Sequence, residues 1–291
     1  MSAERSIDPT NIDPTNTAQY ELWNGAMGQR WAHEADQFDR MIAPFHQALI
    51  AAVDARPGQR ILDIGCGTGT TTCEFAQHTV DGPVLGYDIA EILLQVARRR
   101  AASGGIGNAD FQQGDAQIAD LSSDSFDLIA SRFGSMFFAD PIAAFANLRR
   151  MSHDDGRLVI VVWREVRQNK WMMHIIRALA AGRTLPPRAP DAPGPFALAD
   201  EDRVRSILDQ AGWVDPQFTP LEAELFVGET PDDALTRGVS LGDWILEGVD
   251  ASERASAVDR LRAKYAELAG PDGVRATGAA WLITANAGAS S

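Results

Sequence analysis

Arg60-Ile61-Leu62-Asp63-Ile64-Gly65-Cys66-Gly67-Thr68-Gly69-Thr70 is the stretch on which the fold turns. Its first half, Arg60 to Ile64, has the apolar pattern of a short buried strand. Its second half is a glycine turn that runs into a helix predicted over Thr71–Gln77. Glycines at alternate positions leave out Cβ atoms where a ligand must lie against backbone, and they admit positive φ. The amides of such a turn, with the helix N-terminus behind them, point at whatever sits above the strand ends. Spacing then separates the ligands. A dinucleotide fingerprint needs G-x-G-x-x-G, and Thr70 stands where its last glycine belongs.

Working downstream, Val84-Leu85-Gly86-Tyr87-Asp88-Ile89 is a second strand that ends in an acid. In nucleotide-binding α/β units an acid there accepts hydrogen bonds from ribose hydroxyls. It would equally cap the helix predicted over Ala90–Arg100. A weaker third strand, Ala109–Gln113, leads to Gly114-Asp115-Ala116. The fourth, Ser125–Ser131, leads into a loop from Arg132 to Pro141 that crosses the carboxyl ends of the strands, where open α/β sheets bind ligands. Pro141 starts a helix to Met151, and His153 lies in the solvated turn that follows. Arg157–Trp163 is nearly all apolar, as a strand buried on both faces must be. This alternation specifies an α/β, doubly wound, mostly parallel sheet.

Past Arg164 the alternation stops. A helix over Lys170–Ala181, a Pro-rich run at 186–195 and a helix over Glu201–Ala211 capped by Asp200 come next. A sixth strand runs from Gly212 to about Val227. Helices over Pro231–Glu247 and Ala251–Ala269 precede a final strand, Ala279–Ala285, expected at the sheet edge. Upstream of the glycine turn, a polar near-repeat (Ile7-Asp8-Pro9-Thr10-Asn11, then Ile12-Asp13-Pro14-Thr15-Asn16) reads as an arm. Tyr20, Trp23, Met27, Trp31, Phe38 and Phe45 then recur at helical spacing. The organisation is thus a flexible arm (1–19), an N-terminal helical cap (20–55), a core (56–163), a helical and Pro-rich insertion (164–199), a core continuation (200–229), a helical cap segment (230–277) and a last core strand (278–286).

The 291 residues carry 26 Lys and Arg against 40 Asp and Glu, a formal charge of −14, which opposes a nucleic-acid partner. No apolar run reaches membrane-spanning length and no apolar signal core opens the chain, so a cytoplasmic location is expected. The two cysteines, Cys66 and Cys73, do not suggest a disulfide scaffold, and the five histidines show no ligand spacing, so no metal is expected.

Asp63-x-Gly65-x-Gly67-x-Gly69, Asp88, Gly114-Asp115 and Phe126-Asp127 resemble, in order and separation, the core of class I S-adenosylmethionine-dependent methyltransferases. The branch they resemble is that of ubiquinone/menaquinone-type C-methyltransferases and natural-product tailoring enzymes. The specific part of the resemblance is residues 60–163. It implies a Rossmann-like sheet of seven strands and S-adenosyl-L-methionine as cofactor. By that resemblance Asp63, Gly65, Cys66, Gly67 and Gly69 hold the donor, Asp88 takes its ribose and Ile89 packs on its adenine. Gly114, Asp115 and Ala116 meet the adenine edge, and Ser131 and Arg132 meet the methionine portion. Trp23, Trp31, Phe133, Phe137 and Trp171 would line a site for a bulky apolar small molecule. Tyr20, His33 and His174 are the candidate catalytic groups, with His46 and Glu21 as further bases.

Two subclasses do not match. Amino-methylating enzymes of DNA and protein glutamine carry Asn/Asp-Pro-Pro-aromatic after strand four, where this chain has Ser131-Arg132-Phe133-Gly134. Catechol-type enzymes place magnesium-binding carboxylates there. The expected reaction is methylation at carbon or oxygen of a quinone-type or secondary metabolite. Two alternatives stay open. One is C-methylation of a prenyl alkene on an indole alkaloid, of the teleocidin kind, through a carbocation. The other is a cofactor-binding scaffold or cyclase that does not methylate. The arm at 1–19 is expected to dock on a neighbour in a homo-oligomer.

Overall fold

A computed structural model describes residues 12–121, 126–185, 189 and 192–288. Four N-terminal helices come first: α1 (Thr17–Asn24), α2 (Ala26–His33), α3 (Ala35–Met41) and α4 (Ala43–Val53). The alternating core follows as β1 (Ile61–Ile64), α5 (Thr70–Thr79), β2 (Val84–Asp88), α6 (Glu91–Ser103), β3 (Ala109–Gln113), β4 (Phe126–Arg132), α7 (Pro141–Met151) and β5 (Ser152–Trp163). The remainder is α8 (Lys170–Ala180), α9 (Glu201–Gln210), β6 (Val214–Gly228), α10 (Pro231–Leu241), α11 (Ala251–Leu268), β7 (Ala269–Gly270) and β8 (Gly273–Asn286). Local chemistry sets several starts. Asp140 accepts from the Ala143 amide, with Pro141 at the first helical position of α7. Asp200 caps α9 through the Arg203 amide.

The strands pair in the order β3-β2-β1-β4-β5-β8-β6, with the two-residue β7 attached to β8. The sheet is therefore Rossmann-like, with seven main strands and one short addition. From β3 across to β5 every pairing is parallel. Direction of winding reverses at β1, which lies between β2 and β4, so a crevice opens above the carboxyl ends of β1 and β4. The core sits on both faces of the central strands, where Leu62, Ile129, Val159 and Ile160 have no exposed surface.

Four expectations change. The turn expected around His153 belongs to β5, which already begins at Ser152. The last strand is not at the edge: β8 inserts between β5 and β6, antiparallel to both, and β6 takes the outer place. It also begins at Gly273, well before Ala279. The helix expected over Pro231–Glu247 stops at Gly242, where a Cβ would come within 2.5 Å of Ile175 and Leu179 on α8. A 3-10 turn, Asp243–Leu246, takes over. Residues 1–11 of the arm lie outside the described residues. From Ile12 onward the chain lies on its own core, with Ile12 itself buried.

Candidate active site

The glycine turn opens into the crevice at the winding reversal, and its three glycines serve three purposes. Gly65, at φ +63°, backs against the turn after β4: a Cβ there would sit 2.7 Å from Gly134 Cα. Gly69, at φ +78°, lets α6 pack close, since a Cβ would meet Ala97 Cβ at 2.6 Å and Phe111 at 2.9 Å. Gly67, at φ +54°, has nothing within 4 Å of its missing Cβ among the described residues, so that side of the turn faces open space. Phe133, beside Gly134, holds φ +61°, a left-handed conformation that costs a bulky residue about 1–2 kcal/mol. Its amide donates to the Val161 carbonyl at 2.9 Å, and its ring stacks on Trp163 at 4.2 Å.

Two carboxylates lie below the turn. Asp88 accepts from the Gly67 amide and from the Ala90 amide, both at 2.8 Å, so it braces the turn, but it does not cap α6, whose Glu91 amide bonds Asn24 Oδ1 instead. Burial pushes its carboxyl up to about 6, against the pull of those amides. Asp63, fully buried, is pushed up to about 7 by desolvation. Its Oδ2 accepts from the Thr72 hydroxyl at 2.6 Å, and its Oδ1 has no protein partner among the described residues. Burial beside these acids raises the Cys66 thiol well above its ordinary value, which leaves it neutral and a poor nucleophile.

At the end of β4, the Ser131 hydroxyl accepts from the Ser135 amide at 3.1 Å. Arg132 pairs with Asp39 of α3 at 2.7 Å, and its Nη1 is buried without a protein partner among the described residues. Asp39 also accepts from Thr70 at 2.5 Å and Arg100 at 3.2 Å. Burial opposes its ionisation, but Arg132 beside it, with these bonds, holds its carboxyl below the usual value. His46 of α4 is buried against Glu74 at 2.6 Å, and burial and Arg132 lower its pKa.

Beyond β3, Gly114 leaves room for the Tyr87 hydroxyl, and Ala116 is buried. The Asp115 carboxylate takes the Asp13 amide on Oδ2 at 3.0 Å. Its Oδ1 takes the Asn16 carboxamide at 3.0 Å and the Gln117 amide at 2.9 Å. The Ile89 carbonyl accepts from Asn24 and Gln113, each at 3.0 Å.

The five aromatic residues expected around an acceptor fall into two groups. Trp23 meets Phe137 edge-on at 5.0 Å and Trp31 at 5.7 Å, and Trp31 stacks on Phe38. Phe133 and Trp171 instead flank Trp163 in the buried core, with the Trp171 indole donating to Asn169 at 3.0 Å. The three candidate catalytic groups are dispersed over α1, α2 and α8. Tyr20 is half-buried, on α1 with Trp23; His33 is exposed. His174 is lowered by burial and by Lys264 of α11 and nearby cations, with Glu267 of α11 opposing them. Glu21 is exposed. Asp39, Arg100, Glu74 and Asn16 carried no local signal in the sequence, because each meets its partner across a long span of chain.

Asp63 Oδ1, Arg132 Nη1, Ser135 Oγ and Asn16 Oδ1 are all buried without a protein partner among the described residues. A carboxylate, a guanidinium, a hydroxyl and an amide oxygen left open in this way suit a ligand with a zwitterionic end and a polar ring. A separate cavity of about 480 Å³, lined by Ala76, Val80, Gly105 and Asn108, lies at the amino ends of β2 and β3, away from the glycine turn. Among the described residues no three His, Cys, Asp or Glu side chains gather as metal ligands, and no helix is long and apolar enough to cross a membrane.

A family profile described as a methyltransferase domain matches residues 55–212. The demethylmenaquinone methyltransferase of Paenarthrobacter aurescens is 29% identical over 205 residues, covering 65% of this chain and 77% of that protein. The ubiquinone/menaquinone biosynthesis C-methyltransferase of Shewanella halifaxensis is 28% identical over 233 residues, covering 75% of this chain and 88% of that protein. The crystal structure of the YcgJ protein of Bacillus subtilis shares the fold, with a TM-score of 0.58 at 19% identity over 86% of this chain and 100% of that one.

Proposed function

Because the chain belongs to the methyltransferase-domain family and is an S-adenosyl-L-methionine-dependent methyltransferase, we propose that it methylates a carbon or oxygen of a bulky apolar small molecule of quinone type. The observation that carries the acceptor class is the Gly65–Gly134 contact: it sets the turn after β4, with Phe137 and its edge partner Trp23, directly beside the glycine turn. The two quinone-pathway relatives support the same class.

In this reading Asp88 accepts from the ribose hydroxyls while its bond to the Gly67 amide keeps the turn open. Gly65, Cys66, Gly67 and Gly69 present backbone to the donor. Ile89, Gly114, Asp115 and Ala116 border the adenine. Asp63, Ser131 and Arg132 serve the methionine end, where the open Arg132 Nη1 suits a carboxylate. The donor supplies a methyl group already activated on a sulfonium. The chain's work is to hold the acceptor atom about 3 Å from it, in line, and to exclude water. A phenol or enol loses its proton with little help, so a strong base is not required. Tyr20 and Trp23 are three apart on α1 and share a face, which supports Tyr20 as the polar group at the acceptor in this reading. Exposure of His33 and the cations around His174 favour neither as base.

The test is transfer of label from radiolabelled donor to demethylated quinols and phenols. Labelled quinol is the expected result. Tight binding of S-adenosylhomocysteine without transfer to any such acceptor would refute the acceptor class. No binding of S-adenosylhomocysteine would refute the donor site itself.

A further inference from the structure

The segment from Ile12 to Asn24 makes a second set of contacts that the donor site alone does not require. Asp13 and Asn16 both bond Asp115, and Gln117 reaches Thr15 Oγ1 at 3.3 Å. At the other end, Asn24 donates to the Ile89 carbonyl and accepts from the Glu91 amide at 3.1 Å. Thus one short stretch is tied down on both sides of the place assigned above to adenine. Asn16 is 4% exposed, and its Nδ2 must be the end on Asp115, because an ionised carboxylate only accepts. Among the described residues its Oδ1 is buried with no protein partner, and so is Gln19 Oε1. Asp115 has about four lone-pair positions, of which the Asp13, Asn16 and Gln117 donors fill three. The open position on Asp115 and the neighbouring Asn16 Oδ1 are two acceptors joined by one hydrogen bond. An exocyclic amino group has two hydrogens to give.

We propose that Asp13–Asn24 is a strap that closes over the adenine ring, and that Asn16 is a specificity-determining residue that reads its 6-amino group together with Asp115. The proposal rests on the donor site described under Proposed function. A 6-oxo purine would set an oxygen, which only accepts, where the two amino hydrogens stood, against two acceptors. The strap must lift for the donor to enter, so the same contacts that read the base also seal it from water.

Calorimetry with S-adenosylhomocysteine and its 6-oxo analogue, S-inosylhomocysteine, separates the possibilities. The wild type is expected to prefer the adenosyl compound by roughly tenfold or more, the worth of one or two buried hydrogen bonds. Asn16→Ala is expected to weaken the adenosyl compound and leave the inosyl compound unchanged, so that the preference collapses. Asn24→Ala loosens the far anchor and is expected to weaken both alike with the ratio kept. An Asn16→Ala protein that retains the wild-type ratio overturns the strap's role as reader, while the donor site stands. A wild type that binds neither compound refutes the donor site and the strap with it. Independently of any variant, the adenosyl compound should slow hydrogen exchange of the Asp13–Asn24 amides more than the inosyl compound does. Equal protection overturns the proposal.

Discussion

Gly67 and Gly69 differ in what an added methyl group would meet, so the same substitution has two signatures. Gly69→Ala drives a Cβ to 2.6 Å from Ala97 at φ +78° and should destabilise the fold by about 2–4 kcal/mol in denaturant titrations. Gly67→Ala meets nothing and should cost only about 1–2 kcal/mol from its φ, yet it should abolish S-adenosylhomocysteine binding by filling the donor's space. Asp88→Ala should weaken that binding by about 1–3 kcal/mol through lost ribose hydrogen bonds, read by calorimetry. Since burial pushes Asp88 up to about 6, donor affinity of the wild type should fall as pH drops through 6, where the acceptor carboxylate is protonated; the alanine variant should lack this step. On stability the same shift acts in the opposite direction. A raised value favours the folded state while the acid is protonated, so that contribution is present below about pH 4 and lost as pH rises through 6.

Between elements, single buried or half-buried charges do much of the fastening. Asp39 ties α3 to β4, α5 and α6 through Arg132, Thr70 and Arg100. Arg237 of α10, 3% exposed, bonds the Val227 carbonyl of β6 and reaches Gln37 of α3 at 2.6 Å. Arg237→Leu leaves both oxygens unsatisfied, and a loss of about 2–4 kcal/mol is expected in thermal or denaturant unfolding. Helices whose ends carry their own cap were readable from the sequence: Asp140, Asp200 and Asp250 each bond an amide within three residues. The end of α10 was not. It depends on how close α8 comes to Gly242, and nothing within α10 announces that approach.

At the scale of the whole molecule, the last strand is the keystone of the sheet. β8 pairs with β5 along Arg157–Trp163 and with β6 along most of its length. Removing residues 273–291 would bare the edge of β5, whose Leu158–Val162 are fully buried, and strip β6 of its partner. Such a truncation is expected to aggregate and to lose cooperative unfolding, checked by size-exclusion chromatography and near-ultraviolet circular dichroism. A truncated chain that melts in one sharp transition would contradict this role.

The sequence by itself determined the strand–turn–helix at Ile61–Thr79, the alternation through Trp163 and the acid at Asp88. Each is written in short-range patterns: strand hydrophobicity, glycine spacing, and caps whose donor and acceptor are neighbours. Tertiary structure alone decided that β8 lies inside β6, that Gly69 serves helix packing while the missing Cβ of Gly67 faces open space, and that Asp39 meets Arg132 and Asn16 meets Asp115. Those facts depend on which distant segments are brought to the same crevice. Asp115 meets Asn16 across 99 residues and Arg132 meets Asp39 across 93, separations at which no local periodicity carries information.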